Sequence, residues 1–278
     1  MPELPEVETI RRGLAAHVTG RTITAVDVLH PRPVRSHPAG PDGFALDLTG
    51  RTFGVPARRG KYLWLPFTDG DALLVELRMS GQFRLDTPAA PLPPHARVLF
   101  ALNDGRELRY VDQRMLGGLT LSRGGAVLPR EVAHIARDPF DPRFDVHATA
   151  AAMRRRRSAV KAVLLNQQVV SGIGNIYADE TLWRARLHHL RPAAELGPRV
   201  AVSLLRHAGD VMSEALAAGG TSFDSLYVNV NGSSGYFAHS LNVYGRGGEA
   251  CPRCGAPIER VPFGGRSSHF CPRCQRRR

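Results

Sequence analysis

The sequence predicts an α+β protein of several domains: an N-terminal helix with an eight-stranded β-sandwich, an all-helical middle, and a small C-terminal hairpin carrying cysteines. Three observations predict this. Apolar residues recur at helical spacing at the start and again from about residue 146, but between about 22 and 122 they fall in short runs separated by turn residues. Gly124-Gly125, Pro129, Pro139 and Pro142 interrupt the chain between these regimes. All four cysteines lie in the last 28 of 278 residues. The domains that follow are 1–125, 140–235 and 240–278.

Each element has its own signal. Leu4, Val7, Ile10 and Leu14 line one face of a helix over 4–16, with glutamates early and arginines late, as the helix dipole favours. Strands are predicted at Thr22–Leu29, Ala45–Leu48, Tyr62–Phe67, Leu73–Leu77, Gln82–Leu85, Val98–Leu102, Leu108–Tyr110 and Gly118–Leu121. Asn103-Asp104-Gly105 marks a hairpin between two of them. Eight strands at this spacing suit a sandwich or barrel. Helices are predicted at about 146–170, 175–186 and 195–218, with a short one near 222–227 and a loop at Asn229–Gly235.

Composition narrows the function. The 43% hydrophobic content supports packed cores, and no apolar run reaches the ~18 residues of a membrane span. The acidic, Pro-rich N-terminus is unlike a signal peptide, so a cytoplasmic protein is expected. The net charge is +12, which points to a polyanionic partner, most simply nucleic acid. Only Lys61 and Lys161 are lysine among 37 cations. Those two are candidates for work arginine cannot do, as a compact charge or a titratable amine.

Cys251-Pro-Arg-Cys254 and Cys271-Pro-Arg-Cys274, separated by sixteen residues, have the spacing of a closed four-thiolate zinc site. One structural Zn2+ is expected, with a β-hairpin between the cysteine pairs. From Gly245 onward there are eight arginines and two glutamates. Such a module holds an arginine, with Arg266 at the hairpin tip the candidate, against a phosphate backbone.

In the helical part, Arg154–Arg157 and Lys161 precede the turn Ser171-Gly172-Ile173-Gly174-Asn175. A glycine-rich turn opening a helix offers backbone N–H groups to a phosphate, with Asn175 at the capping position. At the other end, Met1-Pro2 predicts removal of the methionine and a free secondary amine on Pro2. An α-amine has a pKa of about 7.7–8, so part of it is neutral and nucleophilic at pH 7. Attack by such an amine on a sugar carbon gives an iminium, an electron sink for elimination. Glu3 and Glu6 are close enough in sequence to act as acid and base. The plainer alternative is a proline and acids that begin a helix.

Together these residues resemble the formamidopyrimidine-DNA glycosylase family, bacterial base-excision enzymes for oxidised purines. The resemblance runs through Pro2-Glu3-Leu4-Pro5-Glu6, Arg59-Gly60-Lys61-Tyr62-Leu63, Met79-Ser80-Gly81, Gly172-Ile173-Gly174-Asn175-Ile176-Tyr177, Gly219-Gly220-Thr221, Gly235-Tyr236-Phe237, Val243-Tyr244-Gly245-Arg246 and the cysteine pairs, in order. It implies an N-terminal helix plus β-sandwich, a helix–two-turn–helix domain and a zinc finger, with damaged double-stranded DNA bound between them by a monomer. It implies that Pro2 attacks C1′ of the damaged nucleotide and that Glu3 assists base loss and ring opening. Lys61 would contact phosphate and assist β-elimination. Arg266 would hold phosphates around the extruded nucleotide and serve δ-elimination. His95, Arg156 and Asn175 correspond to backbone contacts, and Lys161 to phosphate binding or helix support. Met79 corresponds to the side chain that fills the gap left by a flipped base, and Arg114 to the arginine that reads the orphaned cytosine.

Two positions depart from the family pattern. Asp112-Gln113-Arg114-Met115-Leu116-Gly117 stands where the family usually has Asp-Pro-Arg-Arg-Phe-Gly. Leu116 can wedge between bases but cannot stack as a flat ring does, so slower lesion search or weaker discrimination is expected. The segment Asn231–Gly235 lacks the Lys-Pro often found in the loop over the flipped base. Competing readings are an oxidised-pyrimidine glycosylase, which typically begins Pro-Glu-Gly-Pro and is opposed by Leu4, and a non-catalytic damage-binding protein, opposed by the intact Pro2, Glu3 and Lys61. A sequence-reading zinc-finger regulator is the weakest, since no base-reading helix stands out.

Overall fold

The computed structural model describes residues 2–220 and 240–277. Met1, the expected short helix near 222–227 and the Asn229–Gly235 loop lie outside the described residues. The chain forms two compact units. The first contains Pro2 and Glu6–His134, and the second contains Glu3–Pro5, Ile135–Gly220 and residues 240–277.

In the first unit, helix α1 (Leu4–Val18) buries Val7, Ile10, Leu14 and Val18 in one core with Phe44, Phe83, Phe100 and Tyr110. Each such side chain contributes about 2 kcal/mol by leaving water. Eight strands form two four-stranded antiparallel sheets: β1 (Ile23–Val28), β6 (Ala96–Leu102), β7 (Glu107–Asp112) and β5 (Gly81–Asp86) in that order, and β2 (Ala57–Arg59), β3 (Tyr62–Pro66), β4 (Ala72–Glu76) and β8 (Gly118–Ser122). Along β6 buried and half-buried residues alternate strictly, as one core-facing side requires. The hairpin expected at Asn103-Asp104-Gly105 joins β6 to β7, with Gly105 at φ +80.

One expected strand is wrong. Ala45–Leu48 lies in helix α2 (Gly40–Leu48), which carries Pro41 in its first turn and buries Phe44 and Leu48, four residues apart, while Leu46 stays exposed. The eighth strand is instead β2, too short and too charged to show a two-residue period.

In the second unit, α3 (Val146–Arg154), α4 (Val160–Leu164), α5 (Asn175–Arg184) and α6 (Pro198–Ala217) enclose a core that includes Met153, Leu164, Tyr177, Leu204 and Met212, together with Leu4. The single helix expected over 146–170 is broken. Residues 155–159 leave the helix, and 158–160 pair with 191–193, through Val160 N–H to Arg191 O (2.7 Å) and Ala193 N–H to Ser158 O (3.0 Å). Long-range pairing overrides local propensity here. At the C-terminal end, β9 (Glu259–Phe263) and β10 (Arg266–Phe270) form the expected hairpin. Its two-residue turn, Gly264-Gly265, has φ +50 and +73, which glycine adopts without cost. No helix among the described residues is long and apolar enough to cross a membrane.

Candidate active site

The four cysteine sulfurs lie within 4.8 Å of one another, and no disulfide joins them. Tetrahedral zinc with Zn–S of about 2.3 Å needs S···S separations of about 3.8 Å, so the donor set fits one ion. Four thiolates leave no open coordination position, which makes the ion structural. The site is seated on α5: Trp183 Nε1 donates to Cys251 Sγ (3.4 Å), and the Arg253 guanidinium lies 4.0 Å from the Trp183 ring centre. Buried Gln275 accepts from Cys271 N–H and donates to Leu187 O.

Helix α5 organises the second unit. Its N-terminus is occupied by the buried Glu3 carboxylate, which accepts from Gly174 N–H (2.6 Å), Ile176 N–H (3.0 Å) and Tyr177 N–H (3.4 Å). The otherwise unpaired amides and the helix dipole both favour an anion at this position. Leu4 N–H donates to Gly172 O (3.1 Å). A side chain at Gly172 would collide with Leu4, and one at Gly174 with the Glu3 carboxylate. The glycine-rich turn was expected to present N–H groups to phosphate. In the structure Glu3 takes those amides, and Gln167 Oε1 accepts from Gly172 N–H (3.0 Å).

One turn further along, α5 carries two buried acids. Asp179 pairs with Lys161 Nζ at 2.6 Å and accepts from His269 N–H (2.9 Å) and Ser268 Oγ (3.2 Å). Glu180 accepts from the N–H groups of Asn242, Val243 and Tyr244. Lys161 also donates to Ser267 O (3.0 Å), and Asn175 Nδ2 donates to the same carbonyl (2.9 Å). These bonds hold β10 directly behind Arg266, which stays exposed as the first residue of the strand. Lys161 is fully buried, and burial pulls its pKa below the ordinary lysine value despite the Asp179 charge. Glu3 and Arg266 both act electrostatically on Lys161, so all three charges share one neighbourhood.

In the first unit, Lys61 sits in the two-residue turn of the β2–β3 hairpin, after Gly60 at φ +57. The hairpin is tied to α1 by Glu8, which receives Arg58 Nε (2.7 Å), Arg11 Nη2 (2.9 Å) and Arg12 Nε (2.8 Å). Burial raises the Glu8 pKa, but these three arginines outweigh it and bring it down to about 2. Met79 and Leu116 stand on loops at the ends of strands and are 37% and 40% exposed, so both offer an apolar side chain to a partner. Arg114 and His95 are exposed on neighbouring turns, and Pro2 is buried.

Three family models cover the chain in order: the formamidopyrimidine-DNA glycosylase N-terminal domain over residues 1–119, its H2TH domain over 135–226, and the zinc finger found in FPG and IleRS over 248–277. The formamidopyrimidine-DNA glycosylase of a Nocardioides species is 61% identical over 99% of this chain and 94% of its own length. The chain belongs to the formamidopyrimidine-DNA glycosylase family. The Streptomyces coelicolor enzyme of that name is 56% identical over 99% of this chain and 98% of its own. A Lactococcus lactis FPG mutant in complex with Fapy-dG-containing DNA superposes with a TM-score of 0.90 at 36% identity, covering 99% of this chain and all of the other.

Within that family pattern, the residues fall into two sets. The second unit brings together Glu3, Asn175, Lys161 and Arg266. The first unit carries Pro2, Glu6 in the first turn of α1, Lys61, Met79, His95, Arg114 and Leu116. Two expectations change in detail. Lys161 is not offered to a phosphate: its ammonium is consumed inside the protein, so the support role is the one the geometry gives it. Asn175 is the first helical residue rather than the cap, which is Gly174, and its amide is turned onto Ser267. Arg155, Arg156 and Arg157 are exposed, whereas Arg154 turns back to Leu196 O (2.6 Å).

Sequence reasoning assigned no role to Asp179, Glu180, Glu8 or Asp112. A usable signal was present for the first two: adjacent acids inside a helix of a chain carrying 35 arginines.

Proposed function

We propose that this enzyme excises oxidised purines, 8-oxoguanine and formamidopyrimidines, from duplex DNA and cuts the strand, with Pro2 as the nucleophile once Met1 is removed. The Pro2 nitrogen forms a bond to C1′ as the glycosidic bond breaks and the base leaves with a proton. The resulting iminium acidifies the 2′ carbon. Loss of a 2′ proton expels the 3′ phosphate, and a second elimination expels the 5′ phosphate. Glu3 assists base loss and ring opening, with Glu6 as a second carboxylate. Lys61 and Arg266 bind the phosphates that leave. Met79 and Leu116 fill the vacated space, Arg114 faces the orphaned base, and His95, Arg156 and Asn175 hold the backbone. The protein works as a monomer in the cytoplasm, on DNA.

The observation that carries this reading is the seating of Glu3. Three N–H bonds fix the residue next to Pro2, so the amine is held by its neighbour and not left on a loose chain end. The test is borohydride reduction with a duplex holding 8-oxoguanine opposite cytosine. The expected product is a covalent adduct on the peptide Pro2–Arg11, weakened in Pro2→Gly and retained in Lys61→Ala and Lys161→Ala. An adduct on either lysine overturns the role of Pro2. No adduct on this duplex or on a plain abasic site, with salt-sensitive binding intact, leaves a damage-binding protein. An adduct on the abasic site alone puts the fault in lesion recognition.

A further inference from the structure

Among the described residues only four non-glycine residues have positive φ: Arg78 (+50), His95 (+67), Met115 (+50) and Arg186 (+57). Three of them flank or form the turns that carry Met79, His95 and Leu116. Backbone in this region costs roughly 1–3 kcal/mol per residue and persists only where its surroundings impose it. The surroundings here converge on one buried residue, Asp112, at the end of β7.

All four polar groups of Asp112 are engaged, three of them by these turns. Its N–H donates to His95 O (3.0 Å), and its carbonyl accepts from Arg97 Nε (3.0 Å). Oδ1 accepts from Ser80 Oγ (2.5 Å), and Oδ2 accepts from Gly117 N–H (2.9 Å). Ser80 Oγ in turn accepts from Arg114 N–H (2.9 Å), so one carboxylate and one hydroxyl join the residue after Met79 to the residues on both sides of Leu116. Two arginines close the outer side: Arg32 Nε donates to Met115 O (2.8 Å) and Arg35 Nη1 to Gly117 O (2.8 Å). The Arg97 guanidinium lies 3.2 Å from His95 Nδ1. Arginine can only donate, so Nδ1 accepts and the His95 proton sits on Nε2, facing away from Arg97.

We infer that Asp112, acting with Ser80, is a positioning residue that makes the Met79, His95 and Arg114–Leu116 turns one rigid reading surface for DNA. The inference rests on the proposed gap-filling role of Met79 and Leu116. Its consequence is kinetic. A surface already in shape spends no binding energy on ordering itself while the damaged nucleotide leaves the stack. The clamp therefore acts on extrusion from a duplex and not on the chemistry at C1′.

The experiment compares Ser80→Ala and Asp112→Asn with Met79→Ala and Leu116→Ala. Asp112→Asn keeps the shape of the side chain: its amide oxygen can still accept from Gly117 N–H while its NH2 donates to Ser80. Two rates are read: unstacking of a 2-aminopurine beside 8-oxoguanine in a duplex, and scission of a single-stranded abasic oligonucleotide, which has no partner strand to leave. Ser80→Ala is expected to slow unstacking and duplex excision together by about tenfold, the scale of one hydrogen bond to a charged group. Single-strand scission stays at the parent rate, and Asp112→Asn recovers most of the duplex rate. Duplex and single-strand rates falling equally in Ser80→Ala would reduce the clamp to a plain stability element and overturn the inference. If Met79→Ala and Leu116→Ala slow unstacking while Ser80→Ala does not, the clamp is wrong and the gap-filling reading stands. If none of them slows unstacking, the gap-filling reading itself has failed.

Discussion

The second unit finishes its backbone around α5 with buried carboxylates, whereas the first unit adds several arginines to the carboxylate of Asp112 in finishing its turns. Around α5, Glu3 and Glu180 each collect three backbone N–H groups, and Asp179 collects one together with the Lys161 ammonium. In the first unit Arg109 collects the carbonyls of Thr87, Ala90 and Pro91, and Arg32, Arg35 and Arg97 take those of Met115, Gly117 and Asp112. A carboxylate is compact and suits a helix N-terminus, where amides and dipole already point at it. A guanidinium fans five N–H groups over several carbonyls of an irregular turn and can keep some for a further partner. The comparison also shows that a net charge of +12 is not a count of DNA contacts. Arg109 is 1% exposed and has no N–H to spare for a phosphate.

The contrast can be broken first at Asp179. Asp179→Ala strands the Lys161 charge in the interior, and the second unit should lose about 3–5 kcal/mol in urea unfolding. The double variant Lys161→Met/Asp179→Leu should recover much of that loss. A single variant as mild as a surface ion-pair deletion would refute the division between the two regions.

Acid sharpens it next. Burial, with the neighbouring charges of His188 and Lys161, brings the His189 pKa down to about 4, and Glu8 is brought to about 2. In both cases the folded value lies below the unfolded one, so stability is complete above the unfolded pKa and is lost as pH falls towards the folded one. The second unit therefore weakens between pH ~6.5 and 4, and the Glu8 contribution to the first, about 3 kcal/mol, goes between pH ~4.5 and 2. Segment-resolved hydrogen exchange across this range should show protection failing in that order, with His189→Phe shrinking the earlier phase, to which buried His188, its pKa also lowered, contributes.

A smaller effect, confined to activity, is expected at Gly174. Gly174→Ala pushes the Glu3 carboxylate off its amides and should lower base excision by about 100-fold, the scale of a displacement near 1 Å at a reacting group. Salt-dependent DNA binding should fall far less than excision, since of the proposed phosphate contacts only Asn175 adjoins the substitution. The mildest effect belongs to the arginine side. Arg109→Ala opens the 87–94 segment to water, which replaces the lost donors, and should cost about 2 kcal/mol. Calorimetry and exchange protection limited to that segment would check it.

These differences explain what could be read in advance. Helix α1 was legible because its apolar residues keep a helical period, and most strands because they are short apolar runs bounded by turn residues. Ala45–Leu48 misled because four residues do not separate the two periods, and the informative pair, Phe44 and Leu48, straddled the run. The break after α3 had no local signal, since its cause is pairing with residues about 35 positions away. The zinc ligands were legible from spacing alone. Pro2, Glu3 and Lys61 were candidates from their chemistry but took definite roles only through the family pattern, because a proline and acids at a helix start are common. Asp112 and Glu8 stayed hidden because burial decides what a carboxylate does, and burial is not legible residue by residue.

The seating of Glu3 also sets an order of events during synthesis. The amides that receive it belong to residues 171 or more positions further along the chain. At a ribosomal rate of ~5–20 residues per second, roughly 10–35 s pass between the emergence of the first residues and that of their receptor. Throughout that interval Glu3 has no amides to dock on, although the rest of α1 can already pack into the core of the first unit. The residue beside the proposed nucleophile is thus fixed last, at a moment timed by chain length.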